Sequence, residues 1–456
     1  MKLKKNDIHT VKIENITNLG FGVARIGGSV VFVADTVPGD VIECKIIKVG
    51  ASFCVGRAER IISRSELFCG TRCQNALCKS CAYKNLSYKT ELDIKTDGVR
   101  HEMRKAGLSD IEVLDTTPSP TTVQYRNKAQ YPLMNTKSGV AIGFFAPKSH
   151  RVTEASSCIL AHPSFEKILT TVRAIIDKHG IVAYNEEDGS GIFRHIYLRR
   201  GEISGEILLT LVINGEALPH ENEFIEKITE NHPDVVGILL NKNSRNTNVI
   251  LSDDYETLWG RNYLYDTLAD VRLKISAPAF YQVNHGTAEL IYKRAAEFAA
   301  PKKSDTLLDL YCGTGSIGLS MAKYAGEVIG IEIIDDAVKC ANQNAKINGI
   351  KNARFFTGDA ADAEGLLERA QRELGRKIEP NIIILDPPRA GCDDRLISYV
   401  ASLAPQRIVY ISCNPSTLAR DISRFKEKGY DTHVVEPFDM FPMTGHVETI
   451  VCLCKQ

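Results

Sequence analysis

The stretch Asp309-Leu310-Tyr311-Cys312-Gly313-Thr314-Gly315-Ser316-Ile317-Gly318 decides the fold. It continues the apolar run Thr306-Leu307-Leu308 and opens into a segment of helical character, so it reads as a strand, a glycine turn and a helix start. Four further apolar runs repeat the theme: Val328-Ile329-Gly330-Ile331, Ala353-Arg354-Phe355-Phe356, Asn381-Ile382-Ile383-Ile384-Leu385 and Arg407-Ile408-Val409-Tyr410-Ile411. Helical segments such as 335–348 lie between them. Continuous rather than alternating apolar strands mean burial on both faces, hence a parallel sheet with helices on each side. The C-terminal part is therefore expected to be an α/β, Rossmann-like domain.

The glycine pattern fits a dinucleotide fingerprint as well as an S-adenosylmethionine site. Two acids favour the latter. Asp309 precedes the glycines at the strand end, within reach of the ligand's amino acid moiety. Glu332 ends the next strand and could accept hydrogen bonds from ribose hydroxyls. Either cofactor would use the crevice at the C-terminal ends of the strands.

Three more motifs fall on the same edge. Leu385-Asp386-Pro387-Pro388-Arg389 ends the fourth strand, and its two prolines stiffen the loop that holds the carboxylate at the rim. Tyr410-Ile411-Ser412-Cys413-Asn414-Pro415 puts a cysteine just past the fifth strand, a candidate nucleophile if exposed in the crevice mouth. Gly445-His446-Val447-Glu448-Thr449 offers a carboxylate at the start of the last strand. A thiolate, a carboxylate base and a methyl donor in one pocket are what methylation of uracil carbon 5 requires. Carbon 5 becomes nucleophilic only after a thiolate has added to carbon 6, and a base must later remove its proton.

The chain has 456 residues, 44% apolar and 25% charged, which excludes a disordered or fibrous protein and allows several domains. No window approaches the ~18 uncharged apolar residues of a membrane span. The basic N-terminal start has no apolar run behind it, so a soluble intracellular chain without a signal peptide is expected. The formal net charge is zero, yet residues 1–151 hold 23 basic and 14 acidic residues, a difference of +9. A basic front section points to a polyanion. The first 60 or so residues read as five short strands separated by glycines and the turn Pro38-Gly39-Asp40, a small barrel of the kind that binds nucleic acid. Residues 87–106 have helical character. Tyr125-Arg126-Asn127-Lys128 and Phe193-Arg194-His195-Ile196-Tyr197-Leu198-Arg199-Arg200 interleave aromatics with cations, as single-stranded RNA binders do. Four of thirteen cysteines (Cys69, Cys73, Cys78 and Cys81) are clustered, which in a reducing compartment favours a metal site over disulfides.

With these pieces assembled, the chain resembles the RNA uracil-5 methyltransferases, and within them the iron–sulfur branch acting on 23S ribosomal RNA. The resemblance runs nearly the whole length. It rests on Gly20-Phe21-Gly22-Val23-Ala24-Arg25 and Val37-Pro38-Gly39-Asp40 in the barrel, then Tyr125-Arg126-Asn127-Lys128 and Ser149-His150-Arg151. Phe280-Tyr281-Gln282-Val283-Asn284, the glycine loop, and the motifs ending at Arg389, Pro415 and Glu448 complete it. It implies Cys413 as nucleophile and Glu448 as base. Gln282, Tyr311, Glu332 and Asp386 would line the pocket for S-adenosylmethionine and uracil, and Asp359 would meet the adenine. The resemblance also implies a [4Fe–4S] cluster on Cys78, Cys81, the distant Cys158 and one upstream cysteine, Cys73 or alternatively Cys69; zinc also takes four thiolates. The organisation implied is a TRAM-like RNA-binding barrel (1–62), a central α+β iron–sulfur and RNA-binding domain (63–264, part of 90–123 packing on the next domain) and a class I methyltransferase catalytic domain (265–456). The expected partner is RNA, 23S ribosomal RNA ahead of transfer RNA, for a cytoplasmic, monomeric enzyme that touches no membrane.

Overall fold

The structure, a computed structural model, describes residues 3–456 apart from 74, 76, 77, 138, 147, 148, 156, 247, 248, 360, 361 and the side chain at 363. The first two residues of the basic N-terminal start thus lie outside it. Three cores are built along the chain.

The first is a six-stranded sheet rather than the five strands expected, ordered Ile8–Lys12, Val41–Val49, Cys54–Ser63, Ser29–Val33, Gly22–Ile26, Asn15–Ile16. The alternating run from Val11 to Ile16 reads as one strand in sequence but changes partners midway. Its first half pairs with Val41–Val49, after which the N–H of Ile13 turns to Asp40 O and that of Glu14 to Val23 O. This switch curls the sheet around Val31, Val33, Ile42 and Ile46.

The second is a seven-stranded sheet, Val152–Glu154, Gly139–Phe145, Lys128–Thr136, Phe193–Arg200, Ile207–Ile213, Val235–Lys242 and Tyr255–Gly260 in spatial order. Helices Pro163–His179 and Glu221–Asn231 bury Phe165, Ile168, Val172, Phe224 and Ile228 against one of its faces. The other face meets the third core through Leu208 and Leu239.

The third is the α/β sheet read from the glycine turn. Its order is Ala353–Thr357, Glu327–Glu332, Thr306–Leu310, Ile382–Leu385, Arg407–Ser412, Glu448–Lys455, Val434–Phe438, Glu112–Val113. The first five are parallel, and Glu448–Lys455 runs against its neighbours. Alternate residues bury on opposite faces, Leu307 in one core cluster and Leu308 in the other, as a sheet covered on both sides requires. The order reverses between Thr306–Leu310 and Ile382–Leu385, and such a reversal opens a ligand crevice at the strands' carboxyl ends.

Helix Tyr88–Lys105 belongs with this third core. Ser87 caps it by accepting the Thr90 N–H at 3.2 Å, and Val99 and Met103 pack with Leu308, Ile383 and Phe425. The short strand Glu112–Val113 then adds itself to the sheet edge beside Val434 and Val435.

Candidate active site

Two neighbouring strands bring Cys413 and Glu448 together. In the antiparallel ladder between Arg407–Ser412 and Glu448–Lys455 the last pair is Ser412 with Thr449, and Thr449 Oγ1 donates to Ser412 O at 3.0 Å. One step further along, Cys413 stands against Glu448. Cys413 is half-buried, whereas Glu448 is only 7% exposed. Asn414 then caps helix Pro415–Glu427 through the Ser416 N–H, with proline in its first turn. The Asn414 side-chain amide and the Thr417 hydroxyl both donate to Arg389 O, at 3.1 and 3.4 Å. This lashes the cysteine loop to the Asp386-Pro387-Pro388-Arg389 loop. Arg389 Nη2 in turn lies 3.5 Å from His446 Nε2.

Burial sets the electrostatics. It pushes the Glu448 carboxyl well above its ordinary range; Asp386 adds to this and Arg389 opposes it. Burial also raises the Cys413 thiol, again with Glu448 and Asp386 adding and Arg389 opposing. Asp386 is raised by burial to about 7. A thiol, two acids raised by burial and one cation therefore share a crevice. That mixture suits proton removal near neutral pH and a ligand that brings positive charge.

The glycine turn is built around Glu332. Its Oε2 accepts the Gly313 N–H at 3.0 Å and its Oε1 the Ile334 N–H at 2.9 Å, so the carboxylate is fixed at the strand end. Tyr311 adopts φ +65°, a left-handed conformation unusual for a side chain of that size, and is half-buried. Gly315 at φ +79° has no room for a Cβ, which would meet Phe355 Cζ at 2.7 Å. Asp309 departs from the reading that put it in reach of ligand: it is completely buried beneath the turn, its Oδ2 accepting the Gly318 N–H at 3.0 Å. Its Oδ1 has no partner, and burial raises the carboxyl to about 8. Asp359 is exposed, near enough to Tyr311 to help raise its phenol. Gln282 is half-buried on a segment pinned from two sides: its carbonyl accepts from Asn127 Nδ2 at 2.8 Å, and Asn284 Nδ2 donates to Met440 O at 3.1 Å.

Sequence reading missed the support of the strap 439–444, which leads to Glu448. Lys95 Nζ donates to Glu91 Oε1 at 2.9 Å, Asp439 Oδ1 at 2.6 Å and Phe441 O at 3.2 Å. Tyr125 OH donates to Pro442 O, Glu91 accepts the Met443 N–H, and Met443 O accepts the Tyr83 N–H. The barrel reaches the strap as well, since a Cβ on Gly445 would stand 2.0 Å from Asn18 O. Glu91 and Lys95, four apart on a helix, carry no signal that separates them from an ordinary surface pair.

The clustered cysteines divide. Burial pushes the Cys81 thiol up to about 12, and Cys158, Cys78 and Cys73 each add to the rise, so these four sulfurs are near neighbours. Cys69 is exposed. Cys81 and Cys158 pack against Tyr125, Leu160 and Met443. Among the described residues, no three or more His, Cys, Asp or Glu side chains are drawn into metal-ligating positions.

Comparison with known proteins agrees with this architecture. The family model described as tRNA (Uracil-5-)-methyltransferase matches residues 87–456, and that of the TRAM domain matches residues 2–58. A protein of Halalkalibacterium halodurans named an uncharacterized RNA methyltransferase is 36% identical over 456 residues, 99% of this chain and 98% of its own length. One of the same description from Bacillus cereus is 37% identical over 453 residues, with 99% and 98% covered. Among solved structures, the Pyrococcus abyssi tRNA (uracil-54, C5)-methyltransferase in complex with S-adenosyl-L-homocysteine superposes with a TM-score of 0.77 at 25% identity, covering 98% of this chain and 100% of that one. The chain belongs to the tRNA (uracil-5-)-methyltransferase family of RNA methyltransferases and carries a TRAM domain at its N-terminal end.

Proposed function

We propose that the chain methylates carbon 5 of a uridine in RNA through a covalent adduct on Cys413. The observation that carries this is the facing of Cys413 and Glu448 at the end of one antiparallel ladder, beside the sheet's reversal point. S-adenosylmethionine, when bound, supplies a methyl group on a sulfonium centre. Tyr311, Glu332, Asp386 and Gln282 are assigned to hold it and the uracil, with Asp359 at the adenine. The acids Asp386 and Glu448 that line the crevice suit a cationic ligand.

The Cys413 thiolate, favoured by Arg389, adds to carbon 6, and the ring π electrons move to make carbon 5 nucleophilic. Carbon 5 takes the methyl group, and the sulfonium's electron pair returns to sulfur. Glu448 as carboxylate then removes the carbon 5 proton. The freed pair rebuilds the carbon 5–carbon 6 bond and expels Cys413. A base with a raised pKa is the stronger proton acceptor once ionised, which suits Glu448 to a carbon acid. RNA carrying 5-fluorouridine tests the scheme, because fluorine cannot leave as a cation. The wild type should form a denaturation-stable complex and Cys413→Ser should not; an equally stable complex with that variant overturns the assignment.

Cys73, Cys78, Cys81 and Cys158 fit a group that takes four sulfurs, and a [4Fe–4S] cluster is proposed there as a staple for the central region, moving no electrons in the reaction. The substrate proposed is 23S ribosomal RNA, on the resemblance of the cysteine pattern. Transfer RNA is the second reading, favoured by the likeness to a tRNA (uracil-54, C5)-methyltransferase. Mapping 5-methyluridine in total RNA with and without the gene decides between them. We read residues 1–62, 63–264 and 265–456 as the barrel, central and catalytic domains of a monomeric cytoplasmic enzyme, with helix Tyr88–Lys105 packed on the catalytic one. No described helix is long and apolar enough to cross a membrane.

A further inference from the structure

Lys128 and Arg199 stand opposite each other on adjacent strands of the central sheet. Arg199 is 1% exposed; its Nη2 donates to Tyr197 OH at 2.7 Å, while Nε and Nη1 have no acceptor. On the same sheet face, His195 and Thr210 also leave buried polar atoms without partners, Thr210 lying directly across from Tyr197. Neither Lys128 nor Arg199 has a carboxylate partner among the described residues, and the charges acting on Lys128 are both positive, Arg199 and Arg126. Lys95, Arg72 and Arg64, by contrast, each meet a fully buried carboxylate. A buried cation without a carboxylate leaves its charge uncompensated in the fold, and an anion at the edge of the pair lowers that cost.

The position of the cluster says what that is. Asn127, between Arg126 and Lys128, gives its side chain to Gln282 O and its backbone N–H to Val283 O at 3.0 Å. The cations therefore flank the segment assigned to the uracil pocket. In the other direction Arg126 is near enough to His446 to disfavour its protonation, and His446 touches Arg389 at the crevice. A line of positive groups thus runs from the crevice to the central sheet.

We propose that Arg126 and Lys128, with Arg199 behind them, seat the phosphodiesters flanking the target uridine, so that the RNA strand leaves the crevice across the central sheet. This rests on the reading of the chain as an RNA uracil-5 methyltransferase. Phosphates supply the missing counter-charge, and the contact is independent of base sequence. Arg199 is a positioning residue here, raising the local potential and fixing Tyr197, whose hydroxyl reaches Ala277 O at 3.1 Å.

The test measures binding of a uridine oligonucleotide to the full chain at several salt concentrations. Lys128→Gln should weaken binding several-fold and flatten the log–log salt slope by roughly 0.7, the loss of one single-strand phosphate contact. Lys128→Arg should restore both, and S-adenosylmethionine affinity should stay unchanged throughout. Arg199→Lys should retain most of the binding, whereas Arg199→Leu should lose it even where its melting temperature matches the wild type. An unchanged slope in Lys128→Gln overturns the proposal. If the wild type forms 5-methyluridine while that slope is unmoved in Lys128→Gln, the phosphate seat falls alone; if the slope moves but the wild type methylates no RNA, the uracil chemistry falls and the seat stands.

Discussion

Ser412 and Thr449 pair across antiparallel strands, and the Thr449 hydroxyl closes on the Ser412 carbonyl at 3.0 Å. Their outward neighbours are Cys413 and Glu448, so the register of one ladder fixes the distance over which proton and carbon chemistry must be shared. A slip of one residue would turn Glu448 to the opposite face of the sheet. Thr449→Val, which removes the closing hydrogen bond, should therefore cost turnover more than it costs binding of RNA or of S-adenosylmethionine.

Glu448→Gln should separate the two halves of the reaction. The amide cannot take the carbon 5 proton, so methyl transfer proceeds and elimination stalls. Turnover should fall by about 10²–10⁴, the usual worth of a positioned base. Gel analysis with a labelled methyl group should reveal a methylated protein–RNA complex. Unchanged turnover would transfer the role of base to another group.

Asp386 yields a stability prediction with a definite sign. Burial lifts its folded-state value from 3.8 to about 7, so the folded protein holds this proton more tightly than the unfolded chain. Stability from this group is fully present below about 4 and is lost as pH rises from 4 to 7. Asp386→Asn, neutral at every pH, should match the wild type in melting temperature near pH 4 and exceed it at pH 8, while methylation falls. A variant less stable than the wild type at pH 8 would show that the charged carboxylate is compensated in the folded protein.

Lys95→Met should damage the strap. It leaves Asp439 buried without a cation and Glu91 with Arg72 alone, a loss of about 3–5 kcal/mol in denaturant unfolding. Replacing all three together with Arg72 by apolar residues should recover much of that stability, because no member of the network is then left buried without its partner. Since the same lysine holds Phe441 O on the approach to Glu448, turnover should fall before S-adenosylmethionine affinity does.

These outcomes also mark what could be read beforehand. The parallel sheet was visible because buried strands such as 382–385 are apolar at every position, and the three loops at its edge declare themselves by residue type. The strap's anchors were not, because Lys95 and Asp439 are 344 residues apart and neither carries a local signature of burial. Asp309 misled for a related reason. A strand-end acid looks available in sequence, but here the first turn of the following helix folds over it and takes one oxygen with the Gly318 N–H. The barrel's extra strand came from a change of partner at Ile13 and Glu14, which alternation alone does not encode.

The cysteines give the last prediction. Cys73, which adds to the rise of the Cys81 thiol, is proposed as the upstream ligand of the cluster, with Cys69 as the alternative. Protein prepared without oxygen should be brown, with iron and sulfide each near about four per chain. Cys73→Ser should bleach it, and Cys69→Ser should leave colour and iron content intact. The loop is also bonded to the strap and to its support, for the Tyr83 N–H, two residues past Cys81, meets Met443 O, and Arg72, next to Cys73, meets at 3.0 Å Glu91, which accepts the Met443 N–H. Loss of Cys73, Cys78 or Cys81 should accordingly lower the melting temperature and slow elimination from the adduct, while 5-fluorouridine trapping by Cys413 persists. Zinc in place of iron would remove the cluster and leave this coupling standing; bleaching by Cys69→Ser with colour retained in Cys73→Ser would reverse the ligand assignment.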